Sequence, residues 1–130
     1  MTDQTPLGRE KPVCNLEYLL INLGRNHAAA LRLVRIFLDN YPLLMGRLEE
    51  AVNKADWPAV KDAAHDIRSS CVLFSADIAV THAKAIESIL HQHADDPEHV
   101  NWSEKIAALR IALQRVAEEL HHYLESSSVQ

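Results

Sequence analysis

The feature that most constrains this chain is a set of apolar stripes that step alternately by three and four residues. Leu31, Val34, Leu38, Tyr41, Met45, Leu48 and Val52 make the longest. Such spacing puts one apolar row along an α-helix. Pro42 falls inside it and removes the hydrogen bond to the Leu38 carbonyl, so the pattern predicts one long kinked helix or two helices. Val60, Ala64, Ile67, Cys71 and Phe74 form a second stripe, and Ala79, Ala83, Ile86 and Leu90 a third. Ile106, Leu109, Leu113, Val116, Leu120 and Tyr123 form a fourth. A shorter run, Leu16, Leu19, Leu20 and Leu23, stops at Gly24. No segment alternates with the period of a β-strand. The expected fold is all-α: an up-down antiparallel four-helix bundle with a short additional N-terminal helix.

Punctuation supports these boundaries. Asn26 and Asp56 are suited to cap helices, and Pro58 sits in the first turn after Asp56. Ser75 ends the second long stripe or caps the third helix. Residues 91–99 read as a polar connection. Residues 1–12, broken by Pro6, Gly8 and Pro12, read as a flexible lead-in. The bundle domain is expected over residues 13–126, with residues 127–130 frayed.

Of the 130 residues, 48% are hydrophobic, enough to offset chain entropy in a single core. The formal net charge of −5 argues against a nucleic-acid binder and against docking on anionic lipid. No apolar run reaches the roughly 20 residues of a membrane span, and the polar start does not resemble a signal peptide. Cys14 and Cys71 are too few for a disulfide framework and are expected to be reduced. Cytoplasmic localisation and a monomeric state are the expectations. The three glycines make neither a dinucleotide-binding fingerprint nor a phosphate loop.

The segment around His65 carries the chemistry. At about 100° per residue, His65 lies about 140° from the centre of its helix's apolar stripe, on the solvent side. Lys61, Arg68, Ser69 and Val72 share that outer face. Imidazole is largely neutral at neutral pH and then nucleophilic, and cations one turn away favour the neutral ring. They would also offset the charge of a transferring phosphoryl group. A small residue at Ser69 permits close approach by a partner, and Val72 gives that partner something apolar to bury.

The run Ala64-His65-Asp66-Ile67-Arg68-Ser69-Ser70-Cys71-Val72-Leu73-Phe74-Ser75-Ala76 resembles the signature of bacterial histidine phosphotransfer (HPt) domains. That pattern is roughly His-x-Leu-Lys-Gly-Ser, a short gap, then an aromatic or aliphatic residue and Gly-Ala. His65 matches the phosphorylated histidine, Ile67 the apolar position and Ser70 the serine. Phe74 and Ala76 match the end. Ala83, Ile86 and Glu87 fall where the family has Ala, Leu and Glu, and Leu48 to Trp57 is similar to its stretch before the motif. Arg68 stands in place of the family lysine, and Ser69 and Ser75 in place of glycines.

The resemblance implies a phosphocarrier without turnover of its own, relaying a phosphoryl group through His65 with Arg68 and Lys61 as charge support. Ser69, Val72 and Ser70 would dock the partner. Implied partners are response-regulator receiver domains and a hybrid sensor histidine kinase. No cofactor is expected on this chain, the Mg²⁺ belonging to the receiver. A second reading is a helical module that docks a receiver or kinase without accepting phosphate, for which the bulk of Ser69 speaks. A third is a plain helical interaction protein. Arg68 and Lys61 could instead be an ordinary charged face, for instance pairing with Asp62 or Asp66, and Ser70 could bond back to its own helix. His82 reads as a packed histidine, and His91, His93 and His99 as part of a polar connection. Glu118 and His121 have di-iron spacing, but no second such pair occurs, so no metal site is expected.

Overall fold

The structure, a computed structural model, describes residues 12–92 and 96–128. The expected lead-in therefore lies almost wholly outside the described residues, as do His93 and residues 129 and 130. Five α-helices follow in order: α1 (Leu16–Asn22), α2 (His27–Asn53), α3 (Trp57–Val72), α4 (Asp77–Gln92) and α5 (Trp102–Ser128). A 3₁₀ turn, Pro97–His99, precedes α5. No strand occurs among the described residues. The fold is the expected all-α bundle. Helix α2 packs on α3, α3 on α4, α4 on α5, and α5 returns to α2, while α1 adjoins α2.

The helix ends show why the turns are tight. Asn15, Asn26 and Asp56 each accept a hydrogen bond from a backbone N–H three residues on, at 3.0, 3.0 and 3.2 Å. These contacts satisfy first-turn donors that have no partner within the helix. Helix α3 closes in a Schellman motif: Ala76 N–H donates to the Cys71 carbonyl and Ser75 N–H to the Val72 carbonyl. Ser75 must turn left-handed, at φ 53°. Glycine does this without steric cost, whereas a serine here carries strain. The α2–α3 turn repeats the device with Ala55 at φ 54°, and Asp56 both ends that motif and caps α3.

Helix α2 runs as one helix through Pro42, rather than as two. Its inner surface is wider than one stripe. Val34, Met45 and Leu48 are buried as expected, but so are Ala30, Phe37 and Ala51. Phe37 stacks on Tyr41 at 5.6 Å and meets Phe74 edge-on at 5.3 Å. A helix flanked by both α3 and α5 buries two adjacent rows, so a single row underestimates its contact face. Val60, Ala63, Ala64, Ile67 and Cys71 of α3 are fully or almost fully enclosed.

The 91–99 connection is shorter and better packed than expected. Helix α4 continues to Gln92, Pro97 is buried, and the Trp102 indole donates to the Pro97 carbonyl at 2.8 Å. Trp102 also stacks on Trp57 at 5.5 Å, closing this end of the bundle. At the opposite end, Glu119 of α5 accepts from the backbone N–H groups of Val13 and Cys14 at 2.6 and 3.0 Å. Asn15 N–H then donates to the Phe74 carbonyl at 2.8 Å. The segment before α1 is thus tied to α5 and to the α3–α4 turn.

Candidate functional site

The phase of α3 decides what surrounds His65. Ala64 and Ile67 face inward, which turns His65 outward with its side chain 56% exposed. Arg68 lies three residues on, close to one helical turn. Its Nη2 lies 2.8 Å from His65 Nδ1. The same guanidinium reaches α4: Nε donates to Glu87 Oε2 at 2.6 Å and Nη2 to Oε1 at 3.2 Å. Glu87, only 17% exposed, has Oε1 3.7 Å from His65 Nδ1. Three side chains from two helices thus meet at one edge of the imidazole ring.

Arginine has donors and no acceptor, so His65 Nδ1 is the accepting atom in this contact. The hydrogen bond from Arg68 holds the Glu87 carboxyl below the usual carboxylate range. Glu87 in turn raises the guanidinium further, chiefly through the same hydrogen bond. Arg68 therefore pairs with Glu87 and His65, not with Asp62 or Asp66. Asp66 instead pairs with Arg47 of α2 at 2.8 Å.

The other expected site residues are distributed around this centre. Lys61 is exposed on the same helix, and no hydrogen bond or ion pair joins it to His65 among the described residues. Ser69 is exposed, as is Val72 at 52%. Ser70 donates to the Asp66 carbonyl at 3.1 Å, the back-bond within its own helix.

Two features were not found from sequence. The first is Glu87 as the partner of Arg68, signalled only by the resemblance over Ala83, Ile86 and Glu87. The second is the contribution of α2. Ile36 and Leu43 are 48% and 71% exposed, and Leu73 of α3 is 48% exposed. A shallow groove between the two helices is lined by Ile36, Leu44, Ser70 and Leu73. Its neighbour is lined by Leu43, Arg47, Asp66 and Ser69. The signal was available: Ile36 and Leu43 are apolar residues off the core stripe.

Other candidate groups lie elsewhere. His82 is half-buried on α4, and His99 contacts Asp96 beside the 3₁₀ turn. Glu118 and His121 are exposed on α5. Both cysteines are free, and burial pushes each thiol up to about 12, so neither is poised as a thiolate. No described helix is long and apolar enough to cross a membrane.

No curated protein matches the chain. The solved HPT domain from the Hpt sensor hybrid histidine kinase from Shewanella superposes with a TM-score of 0.73 at 17% identity. The match covers 90% of this chain and 97% of that one, and at this identity it speaks for the fold. The family model described as "Hpt domain" matches residues 32–125, from early α2 to near the end of α5. With well over half its length matched, and His65 outward on the helix that carries the motif, the chain belongs to the Hpt domain family.

Proposed function

We propose that this Hpt domain accepts a phosphoryl group on His65 from the phosphoaspartate of one receiver domain and passes it to the aspartate of another. In this role it links a hybrid sensor histidine kinase to a response regulator. The observation that carries the reading is the exposed His65 ring, contacted at its Nδ1 edge by Arg68, which Glu87 anchors. Arg68 and Glu87 approach Nδ1, so Nε2 is the ring nitrogen they leave uncovered.

The chain's contribution is positioning and charge. Helix α3 presents the ring from a rigid, fully packed inner face, which fixes the direction of attack. Arg68 lies close enough to turn one N–H toward a phosphoryl oxygen arriving at the ring, and Lys61 adds positive charge one turn away. The receiver supplies the aspartyl phosphate and the Mg²⁺ bound with it. Exposed Val72 and Leu73 of α3 and Ile36 and Leu43 of α2 offer a partner apolar surface on the two helices. A receiver could bury that surface while its phosphoaspartate lies over His65, with Ser69 at the point of closest approach.

The test is a two-step relay. A labelled phospho-receiver is mixed with the protein, the protein is repurified, and an unphosphorylated second receiver is added. Label that moves onto the protein and then onto the second receiver supports the relay. Receivers that bind without delivering label favour the non-phosphorylated docking role.

A further inference from the structure

The arrangement at His65 has a consequence for which nitrogen is ready to react. A neutral imidazole carries one proton, and the nitrogen without it holds the nucleophilic lone pair. Arg68 Nη2 lies 2.8 Å from Nδ1 and can only donate, so this contact favours the tautomer with the lone pair on Nδ1 and the proton on Nε2. Nε2 is the nitrogen that Arg68 does not cover, and in this tautomer it cannot attack phosphorus. Resting on the relay reading above, we propose that Arg68 is a gate: it holds His65 in the unreactive tautomer until a phosphorylated receiver draws the guanidinium away, and Glu87 then sets the reactive one.

The geometry supplies both positions of the gate. In the closed position, one guanidinium bridges Glu87 and His65, with contacts of 2.6 and 3.2 Å to the carboxylate. In the open position, the guanidinium turns to the incoming phosphoryl oxygens, a dianionic target that competes well with a single carboxylate. Glu87 Oε1, already 3.7 Å from Nδ1, then needs to close by less than an ångström to accept a proton there. Solvent water takes the proton from Nε2 and delivers one to Nδ1, and an Nδ1–H donating to Glu87 then leaves the lone pair on Nε2.

The transfer step then balances. The Nε2 lone pair forms the N–P bond as the bond between phosphorus and the receiver's aspartate oxygen breaks, and the aspartate leaves as a carboxylate. The ring is left with Nδ1–H and a positive charge, next to the Glu87 carboxylate that stabilises it. Return transfer reverses each step. The fork of an arginine suits this task, since two of its nitrogens engage Glu87 while one also covers Nδ1; a lysine carries one nitrogen. The gate thus gives a role to the departure of Arg68 from the family lysine.

The experiment reads the tautomer directly, without any transfer. Long-range proton–nitrogen correlation spectra of ¹⁵N-labelled full-length protein, at a pH where the ring is neutral, distinguish protonated from bare ring nitrogens. The His65 signals are assigned by their loss in His65→Gln. Wild type is expected to show a bare Nδ1 and a protonated Nε2. Arg68→Ala is expected to reverse this order, with Nδ1 protonated against Glu87. The double variant Arg68→Ala/Glu87→Ala is expected to revert to a protonated Nε2, the form an unassisted ring prefers. A protonated Nδ1 in wild type overturns the gate, and so does an Arg68→Ala spectrum with the wild-type order. Because the relay assay reads label and this one reads protons, failure of either is distinguishable from failure of the other.

Discussion

Two glutamates on adjacent helices, Glu87 of α4 and Glu119 of α5, are each partly buried and each tie two segments together. Glu119 accepts two backbone N–H groups, from Val13 and Cys14. Glu87 accepts from one arginine, which also touches a histidine. The backbone donors at Glu119 have no other task and cannot leave without a loss of stability. The guanidinium at Glu87 can reach another anion, and the ring beside it is open to solvent. A half-buried carboxylate is therefore no sign of function by itself; what matters is whether its partners are free to exchange it for something else.

The largest expected effect that would break this contrast is on transfer. Glu87→Ala removes the anchor of Arg68 and the acceptor beside His65. Label uptake from a phospho-receiver should fall about ten- to a hundredfold, by analogy with the loss of a group that orients a metal-bound histidine. An unchanged rate would place Glu87 with Glu119 as a structural group. The converse variant, Glu119→Ala, should leave transfer intact. It should lower unfolding stability by about 1–3 kcal/mol in denaturant titration, because two N–H groups lose their acceptor. A collapse of transfer without destabilisation would contradict the contrast.

A smaller effect concerns acid. Since Arg68 lowers the Glu87 carboxyl in the folded protein, this contact stabilises the fold above the ordinary value of 4.5. That contribution is lost as pH falls from there through the lowered value. The stability difference between wild type and Glu87→Gln should therefore be present at about pH 6 and shrink progressively on acidification below the ordinary carboxylate range. A difference that grows on acidification has the wrong sign for this account. Smaller again, Ser75→Gly should raise stability by about 0.5–1 kcal/mol, relieving the left-handed turn at φ 53°. Transfer should not change, as this residue reaches neither carboxylate cluster.

The same contrast explains what could be read from the chain. Helices α2 to α5 followed from stripes stepping by three and four, because one helix's inner face is a local property of its sequence. The outward direction of His65 came from the same phase, since Ala64 and Ile67 on either side are core. Phe37 escaped because α2 is packed on two sides and buries a second row beside the stripe. Glu87 and Glu119 escaped for a different reason. Their partners are 19 and more than 100 residues away in sequence, and no helical phase relates one helix to another. The resemblance placed Glu87 among matching positions but did not say what it touches. Arg68 was read as a charged neighbour of His65, yet its hold on Nδ1 depends on a fork that only the folded α3–α4 pair orients.

The account rests most heavily on His65 as the residue that carries phosphate. Wild type and His65→Gln, each shown to be folded, would be incubated with the same labelled phospho-receiver, and the label then tested in acid and in base. Acid-labile, base-stable label on wild type and none on His65→Gln is the predicted result. Label on both proteins would contradict the assignment of residue 65, and label on neither, with receivers that demonstrably bind, would contradict phosphoryl transfer itself.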